Sequence, residues 1–413
     1  MKTVGIIAEY NPFHTGHAWQ ISEARRITGA DCVIVIMSGD FVQRGTPAIM
    51  NKYMRTELAL TGGADIVIEL PVWISTASAM DFAEGAVSVF NALGCIDYLC
   101  FGSESGSTDK LKQAADLFLL EPDNYKTELK KQLSCGKSFP KARKAAWGFC
   151  TGENGDFLDL PNNILGISYL MALKKTKSHM KPVTVKRQGD FHSLSTDNQF
   201  ASASALRNSM MESSNSSELQ NRLSRFMPDS SAFTTFIHGY QKEYPVISDD
   251  FWPVLKAKLL SESVWNETYY DLPDELAARI RKQFFSCNTY EELVTALKTA
   301  LYTRTRIERS LIHLLLDLKE EEVLQWKEHG WAHYARILGF RKSAASYLKT
   351  IVSSSSIPVF SRSLPDQGLN PAALSCYRKD IFAANLYEST ACMKYRLHPP
   401  IHEYSRGIIV SPS

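Results

Sequence analysis

Four runs in the first hundred residues, 3–8, 32–37, 64–70 and 96–101, are almost continuously apolar, and helix-like stretches separate them. A strand buried on one face alternates apolar with polar residues, whereas a strand covered on both faces does not. Strand–helix alternation built from such strands predicts an α/β protein with a doubly wound, mainly parallel, Rossmann-like sheet. The first helix is read near 18–28. The second runs from a cap at Asn51 to Thr61 and is stopped by Gly62-Gly63; the third spans 79–93 and ends at Gly94. Ligands of such sheets sit beyond the carboxyl ends of the strands. The loops at 9–17, 38–45 and 102–106 all fall at that end.

Further along, 109–150 reads as helical, with basic stretches such as 137–144. A helix follows at 162–174 and a fifth strand at 182–187. Residues 200–207 set small hydroxyl side chains at a helix start, a common way to meet phosphate. The Ser/Asn-rich stretch 212–218 reads as a linker or exposed loop. Beyond it strand signals fade, and 251–261, 274–285, 290–298, 304–318 and 332–337 read as helices. The expected division is a nucleotide-handling domain over 1–212 and a mostly helical domain over 213–413, because 413 residues exceed one domain of roughly 100–200.

The formal charge of +2 neither demands nor excludes a nucleic-acid partner, since a basic face can be masked by acids elsewhere. None of the eight cysteines forms a Cys-x-x-Cys pair, and several lie inside apolar runs. With no signal peptide read at the start, this points to a reducing cytoplasm. No apolar run approaches the roughly 20 residues that span a bilayer, so no membrane partner is expected.

Between the first strand and the first helix lies Glu9-Tyr10-Asn11-Pro12-Phe13-His14-Thr15-Gly16-His17. A bare His-x-Gly-His can be an ordinary polar loop. It can also be two ligands of a metal, but no third ligand stands at recognisable spacing, and zinc takes three or four. Placed between a buried strand and a helix, it suits a nucleoside triphosphate. Attack at an α-phosphate builds charge on the transferred group and on the departing pyrophosphate, and catalysis is chiefly positioning plus electrostatic stabilisation. His14 and His17 supply N–H donors, Gly16 allows close backbone approach, and the helix adds a positive N-terminus. The nucleophile comes from the substrate.

Other loops offer further groups, each also readable as plain surface. Gln43 and Arg44 can donate to a carboxylate or phosphate. Asp40 needs another task, such as orienting an amine or a magnesium ion. Gly102-Ser103-Glu104 offers backbone groups to adenine or ribose. Arg187, at a strand end, and Arg207 and Ser202, at a helix start, are candidate triphosphate contacts. Arg304, Arg306, Arg309 and Arg341 are candidate RNA contacts, although solvated helix surface explains the first three as readily.

The opening strand and His-x-Gly-His turn resemble the HIGH-motif nucleotidyltransferase superfamily. A wider ordered set resembles the bacterial tRNA(Met) cytidine acetate ligases. It comprises Ile7-Ala8-Glu9-Tyr10-Asn11-Pro12-Phe13-His14, Ser38-Gly39-Asp40-Phe41-Val42-Gln43-Arg44-Gly45, Ala64-Asp65-Ile66-Val67-Ile68-Glu69-Leu70-Pro71, Phe101-Gly102-Ser103-Glu104, Asn162-Asn163-Ile164-Leu165-Gly166 and Ser202-Ala203-Ser204-Ala205-Leu206-Arg207. Tyr302-Thr303-Arg304-Thr305-Arg306 and Arg336-Ile337-Leu338-Gly339-Phe340 extend it, so the resemblance spans nearly the whole chain.

The resemblance implies that ATP activates acetate as acetyl-adenylate and that the acetyl group passes to N4 of the wobble cytidine of elongator tRNA(Met). It places ATP along Ile7, Ala8, Glu9, Tyr10, Asn11, Pro12, Phe13, His14, Thr15, Gly16, His17, Ala18, Trp19 and Gln20, and at Gly102, Asn163 and Arg187. His14 and His17 then stabilise the adenylation transition state, Mg2+ accompanies ATP, and the helical half holds the tRNA. Two positions depart from the pattern: Asp40 stands where Asn is expected, and Gln188 where an apolar residue is expected. The rival readings are a small-molecule adenylyltransferase and a non-catalytic RNA-binding protein. Some 200 further residues are more than a coenzyme precursor needs, and intact His14, Gly16 and His17 speak against lost catalysis.

Overall fold

The computed structural model describes residues 2–187, 201–299, 301–365, 368–396 and 399–412. Gln188 lies outside them. The strands are β1 (Thr3–Ala8), β2 (Cys32–Ser38), β3 (Phe41–Val42), β4 (Thr46–Pro47), β5 (Ile66–Leu70), β6 (Tyr98–Ser103), β7 (Lys181–Lys186), β8 (Ala335–Arg341), β9 (Val359–Phe360) and β10 (Ile409–Ser411). Among the described residues one sheet has eight strands in the order β10-β8-β5-β2-β1-β6-β7, with β9 beside β8. The five strands β5, β2, β1, β6 and β7 are mutually parallel. The chain winds outward from β1 through β2 to β5, then returns to place β6 and β7 on the other side. The crevice outside β1 and β6 is therefore the topological switch point, where such sheets bind ligands.

Seven helices matter for the site: α1 (Thr15–Thr28), α2 (Lys52–Thr61), α3 (Ala79–Leu93), α4 (Pro161–Lys175), α5 (Ala203–Glu212), α6 (Arg304–Leu315) and α7 (Pro371–Tyr395). Asn51 and Ser78 cap α2 and α3 by accepting from the N–H of Met54 and Asp81. The central strands β2 and β5 are buried along their whole length, as the apolar runs require.

One expectation is corrected and one is sharpened. The stretch 332–337, read as a helix, lies in and before β8, which pairs antiparallel with β5 across a bulge at Val67/Ile68. β10 then pairs parallel with β8, so both halves of the chain build one sheet. The stretch 212–218, read as a linker or exposed loop, is a short and mostly exposed turn between α5 and a helix at Ser216–Leu223, pinned at one residue. Ser213 is buried there, and the Tyr240 hydroxyl donates to the carbonyls of Met210 and Ser213.

A buried ionic network joins the chain's two ends. Lys52 Nζ lies 2.6 Å from Glu69 and 2.5 Å from Glu403, and Arg336 Nη1 lies 2.9 Å and 2.5 Å from the same two carboxylates. All four side chains are buried, so each charge has its counter-ion out of water.

Candidate active site

The turn after β1 delivers two imidazoles to the start of α1. His14 is the N-cap residue: its Nδ1 accepts from the Gly16 N–H at 3.0 Å. The Nδ1 of His17 accepts from the His14 N–H at 3.3 Å, completing a reciprocal capping box. An Nδ1 that accepts carries no proton. Each neutral ring therefore holds its proton on Nε2, and capping fixes the tautomer. The rings lie 3.8 Å apart by centroid, and Tyr10 packs on His17 at 4.8 Å. Burial, then Arg187, pushes His14 down to about 3. Burial, then His14 and Arg187, holds His17 well below the usual imidazole range. Both are neutral N–H donors at neutral pH. His14 Nε2 is buried and meets no hydrogen-bond partner among the described residues, an unfilled donor of the kind a phosphate oxygen satisfies.

Both histidines line a cavity of about 490 Å3 at the switch point. Its floor is the end of β1, with Ile7, Ala8, Glu9, Tyr10 and Asn11; Gly16, Trp19 and Gln20 of α1 form one wall. Opposite stand Gly102 after Phe101, Asn162 at the start of α4, and Arg187 after β7. Arg187 Nη1 donates to Asn162 Oδ1 at 3.1 Å. Its aliphatic stem crosses Gly102 so closely that a Cβ there would stand 3.3 Å from Cγ. Ser202, Ser204 and Arg207 bring in the start of α5. Ser202 caps that helix, and Arg207 donates to the Asn11 carbonyl at 2.7 Å and to Ser204 Oγ at 3.0 Å. Gln43, Arg44, Thr305 and Arg309 close the remaining side.

That last wall comes from the helical half. The β3–β4 hairpin presses on α6 at Gly45, where φ is +77° and a Cβ would stand 2.2 Å from the Arg309 backbone nitrogen. Only glycine supports both the backbone conformation and the approach. Arg309, expected to contact RNA, is instead a cavity-lining cation held by Asp271 at 2.8 Å. Arg304 is bound to Glu291 and Glu308, and Arg306 lies over the Tyr302 ring. Arg341 stands beside Asp65, at the amino ends of the parallel strands and away from the cavity.

Several residues expected around ATP support the walls instead. Phe13 is fully buried beneath the turn, Pro12 is buried, and the Thr15 N–H donates to the Phe226 carbonyl. Ala18, in the first turn of α1, is half-buried against the core. Asn163 is fully buried, its amide donating to the Phe157 carbonyl and accepting from the Ser105 N–H. Glu104 reaches across 58 residues to accept from the N–H groups of Asn162 and Asn163, and so caps α4. Its side chain is thus engaged in the wall, apart from the backbone groups expected to meet adenine or ribose. The expectation for Asp40 is corrected. It is buried, accepts from the Lys52 N–H at 2.7 Å, and burial pushes its carboxyl up to about 6. An Asn would make the same bond. Arg55 escaped sequence reading: fully buried, it donates to the carbonyls of Glu9, Ser38 and Gly39 and ties the ends of β1 and β2 together. Nothing near it in the sequence separates it from a surface arginine.

A parallel sheet with a cavity at its switch point, floored by the end of the first strand and walled by a histidine-capped helix, defines a nucleotidyltransferase of the HIGH type. A family model described as HIGH Nucleotidyl Transferase matches residues 1–398. A tRNA(Met) cytidine acetate ligase of Acetivibrio thermocellus is 38% identical over 94% of each chain, and one of Caldanaerobacter subterraneus is 36% identical over 94% of this chain and 95% of the relative. Thermotoga maritima TmcAL bound with alpha-thio ATP superposes with a TM-score of 0.87 at 27% identity, and its apo form with 0.89 at 28%, each over the whole of both chains. The chain belongs to the tRNA(Met) cytidine acetate ligase family of HIGH nucleotidyltransferases.

Proposed function

We propose that the protein activates acetate with ATP and transfers the acetyl group to N4 of the wobble cytidine of elongator tRNA(Met). In the first step an acetate oxygen attacks the α-phosphorus, the bond to the bridging oxygen breaks, and pyrophosphate leaves. In the second the cytidine amine attacks the acetyl carbonyl, the bond to the adenylate oxygen breaks, AMP leaves, and the amine loses a proton. Neither step uses a side-chain nucleophile. The two Nε2–H donors meet the charge that grows on phosphate in the first step. Arg187, Arg207 and Ser202 would bind the remaining phosphate oxygens. Ile7 to Asn11, Gly16, His17, Trp19, Gln20 and Gly102 would line the nucleotide. Pro12, Phe13, Thr15, Ala18 and Asn163 would hold those walls in place.

The observation that carries the reading is the orphaned His14 Nε2 inside the cavity of a chain whose relatives bear this enzyme's name. Mg2+ would accompany the triphosphate on phosphate oxygens and water. The region from 213 onward would face the acceptor, with Thr305 and Arg309 at the cavity. No described helix is long and apolar enough to cross a membrane, and ATP and tRNA as substrates place the work in the cytoplasm.

The test uses ATP and labelled acetate with and without elongator tRNA(Met). Label entering the tRNA supports the ligase; an adenylyl group appearing on another metabolite contradicts it.

A further inference from the structure

Beside the cavity stands a helical hairpin, Asp123–Ser134 and Phe139–Thr151, that supplies nothing to its lining. Residues 121–152 hold seven Lys or Arg against three Asp or Glu, a net +4 in a chain whose total is +2. The rest of the chain therefore sums to a net charge of −2, which makes the hairpin one of its basic stretches. Three of the seven cations are occupied: Lys131 by Glu128, Lys144 by Asp156 and Asp159, and Arg143 over the Phe118 ring at 3.6 Å. Lys126, Lys130, Lys137 and Lys141 are exposed and form no ion pair among the described residues. Phe139 and Phe149 are 54% and 63% exposed on the same element.

Exposed ammonium groups interspersed with exposed rings suit a looped or single-stranded RNA. Phosphates take the charge and unstacked bases take the rings. The hairpin is also fixed to the rim of the cavity. Trp147 packs on Phe157 with centroids 5.3 Å apart, and Lys144 ties the second helix to Asp156 and Asp159. The Phe157 carbonyl holds the Asn163 amide at 3.0 Å, and the adjacent Asn162 binds Arg187 inside the cavity. A polyanion seated here lies one short segment from the reacting groups.

We infer that the 123–151 hairpin is the docking surface for the anticodon arm of the acceptor tRNA. The inference rests on the tRNA-acetylating reading and adds where that tRNA is held. The four lysines supply salt-sensitive phosphate contacts, and Phe149 supplies a salt-insensitive stacking contact.

The experiment measures binding of elongator tRNA(Met) over a range of salt, beside acetate-dependent ATP–pyrophosphate exchange. The quadruple variant Lys126→Gln, Lys130→Gln, Lys137→Gln, Lys141→Gln is expected to bind tRNA at least about tenfold more weakly at low salt. Its slope of log affinity on log salt should be shallower by roughly 2–4, one phosphate contact being worth somewhat under one. Pyrophosphate exchange should match the wild type, because no substituted residue lines the cavity. Phe149→Ala should weaken binding about tenfold with the slope unchanged. Wild-type-like affinity and slope in the quadruple variant, with wild-type protein acetylating the tRNA, would overturn the hairpin assignment and leave the ligase reading standing. So would loss of binding to phosphatidylserine–phosphatidylcholine vesicles with tRNA binding intact, which would make the surface a membrane contact. A wild-type protein that neither binds nor acetylates tRNA would instead remove the ligase reading, and this inference with it.

Discussion

His14 caps α1 with one ring nitrogen and offers the other to the cavity. The two roles separate by substitution. His14→Asn keeps a cap acceptor but loses the Nε2 donor, whereas His14→Ala loses both. Pyrophosphate exchange should fall by about 100-fold or more in each, in line with the loss of a transition-state donor. Only the alanine variant should also lose about 1 kcal/mol of stability by denaturant unfolding. Normal exchange in His14→Asn would reduce the residue to a cap. The acid response has a definite sign. Folding holds His14 neutral down to about 3, while in the unfolded chain it binds a proton below about 6.5. The unfolded state therefore carries more protons in that window, and acidification through it costs stability. Thermal melts of wild type and His14→Asn between about pH 7 and 4 should shift in the variant's favour as pH falls; a gap independent of pH would contradict the buried neutral ring.

At the scale of elements, the walls of the cavity are set by distant residues. Glu104 caps α4 from the loop after β6, so that Asn162 can hold Arg187. Glu104→Ala should raise the KM for ATP about tenfold with kcat less affected, since charge-assisted bonds of this kind are worth roughly 1.5–3 kcal/mol; an unchanged KM would mean that α4 needs no such cap. The central strands were legible because burial on both faces leaves near-continuous apolar runs, and the motif loops were legible because strand ends must carry them. β8 was not. Ala335–Arg341 lies after a series of helices, and seven residues hold too little periodicity to distinguish a strand from a helical turn. Asn163 was placed at ATP, and Asp40 beside an amine or a magnesium ion, because their positions in the loops were readable, while the directions of their side chains depend on partners remote in sequence.

Across the whole molecule, the network of Lys52, Glu69, Arg336 and Glu403 locks the late strands onto the early sheet. The sequence cannot announce it, because its members are spread over some 350 residues and each is charged like any surface residue. Burial opposes ionisation of Glu403, but Lys52 and Arg336 outweigh it and hold the carboxyl below its usual range. Its contribution is therefore complete above the unfolded carboxyl value and is lost as pH falls through the lower folded one. Glu403→Gln leaves two buried cations short of an anion and should cost about 3–5 kcal/mol by denaturant unfolding; a loss within about 0.5 kcal/mol, the scale of surface substitutions, would show that the C-terminal strand needs no ionic anchor.

The proposed reaction is tested most directly by nucleoside analysis of elongator tRNA(Met) after incubation with the protein, ATP and labelled acetate. The account predicts label in N4-acetylcytidine at the wobble position, with none when His14 and His17 are both replaced by alanine. Unlabelled tRNA beside steady consumption of ATP, or full labelling by the double variant, would contradict it.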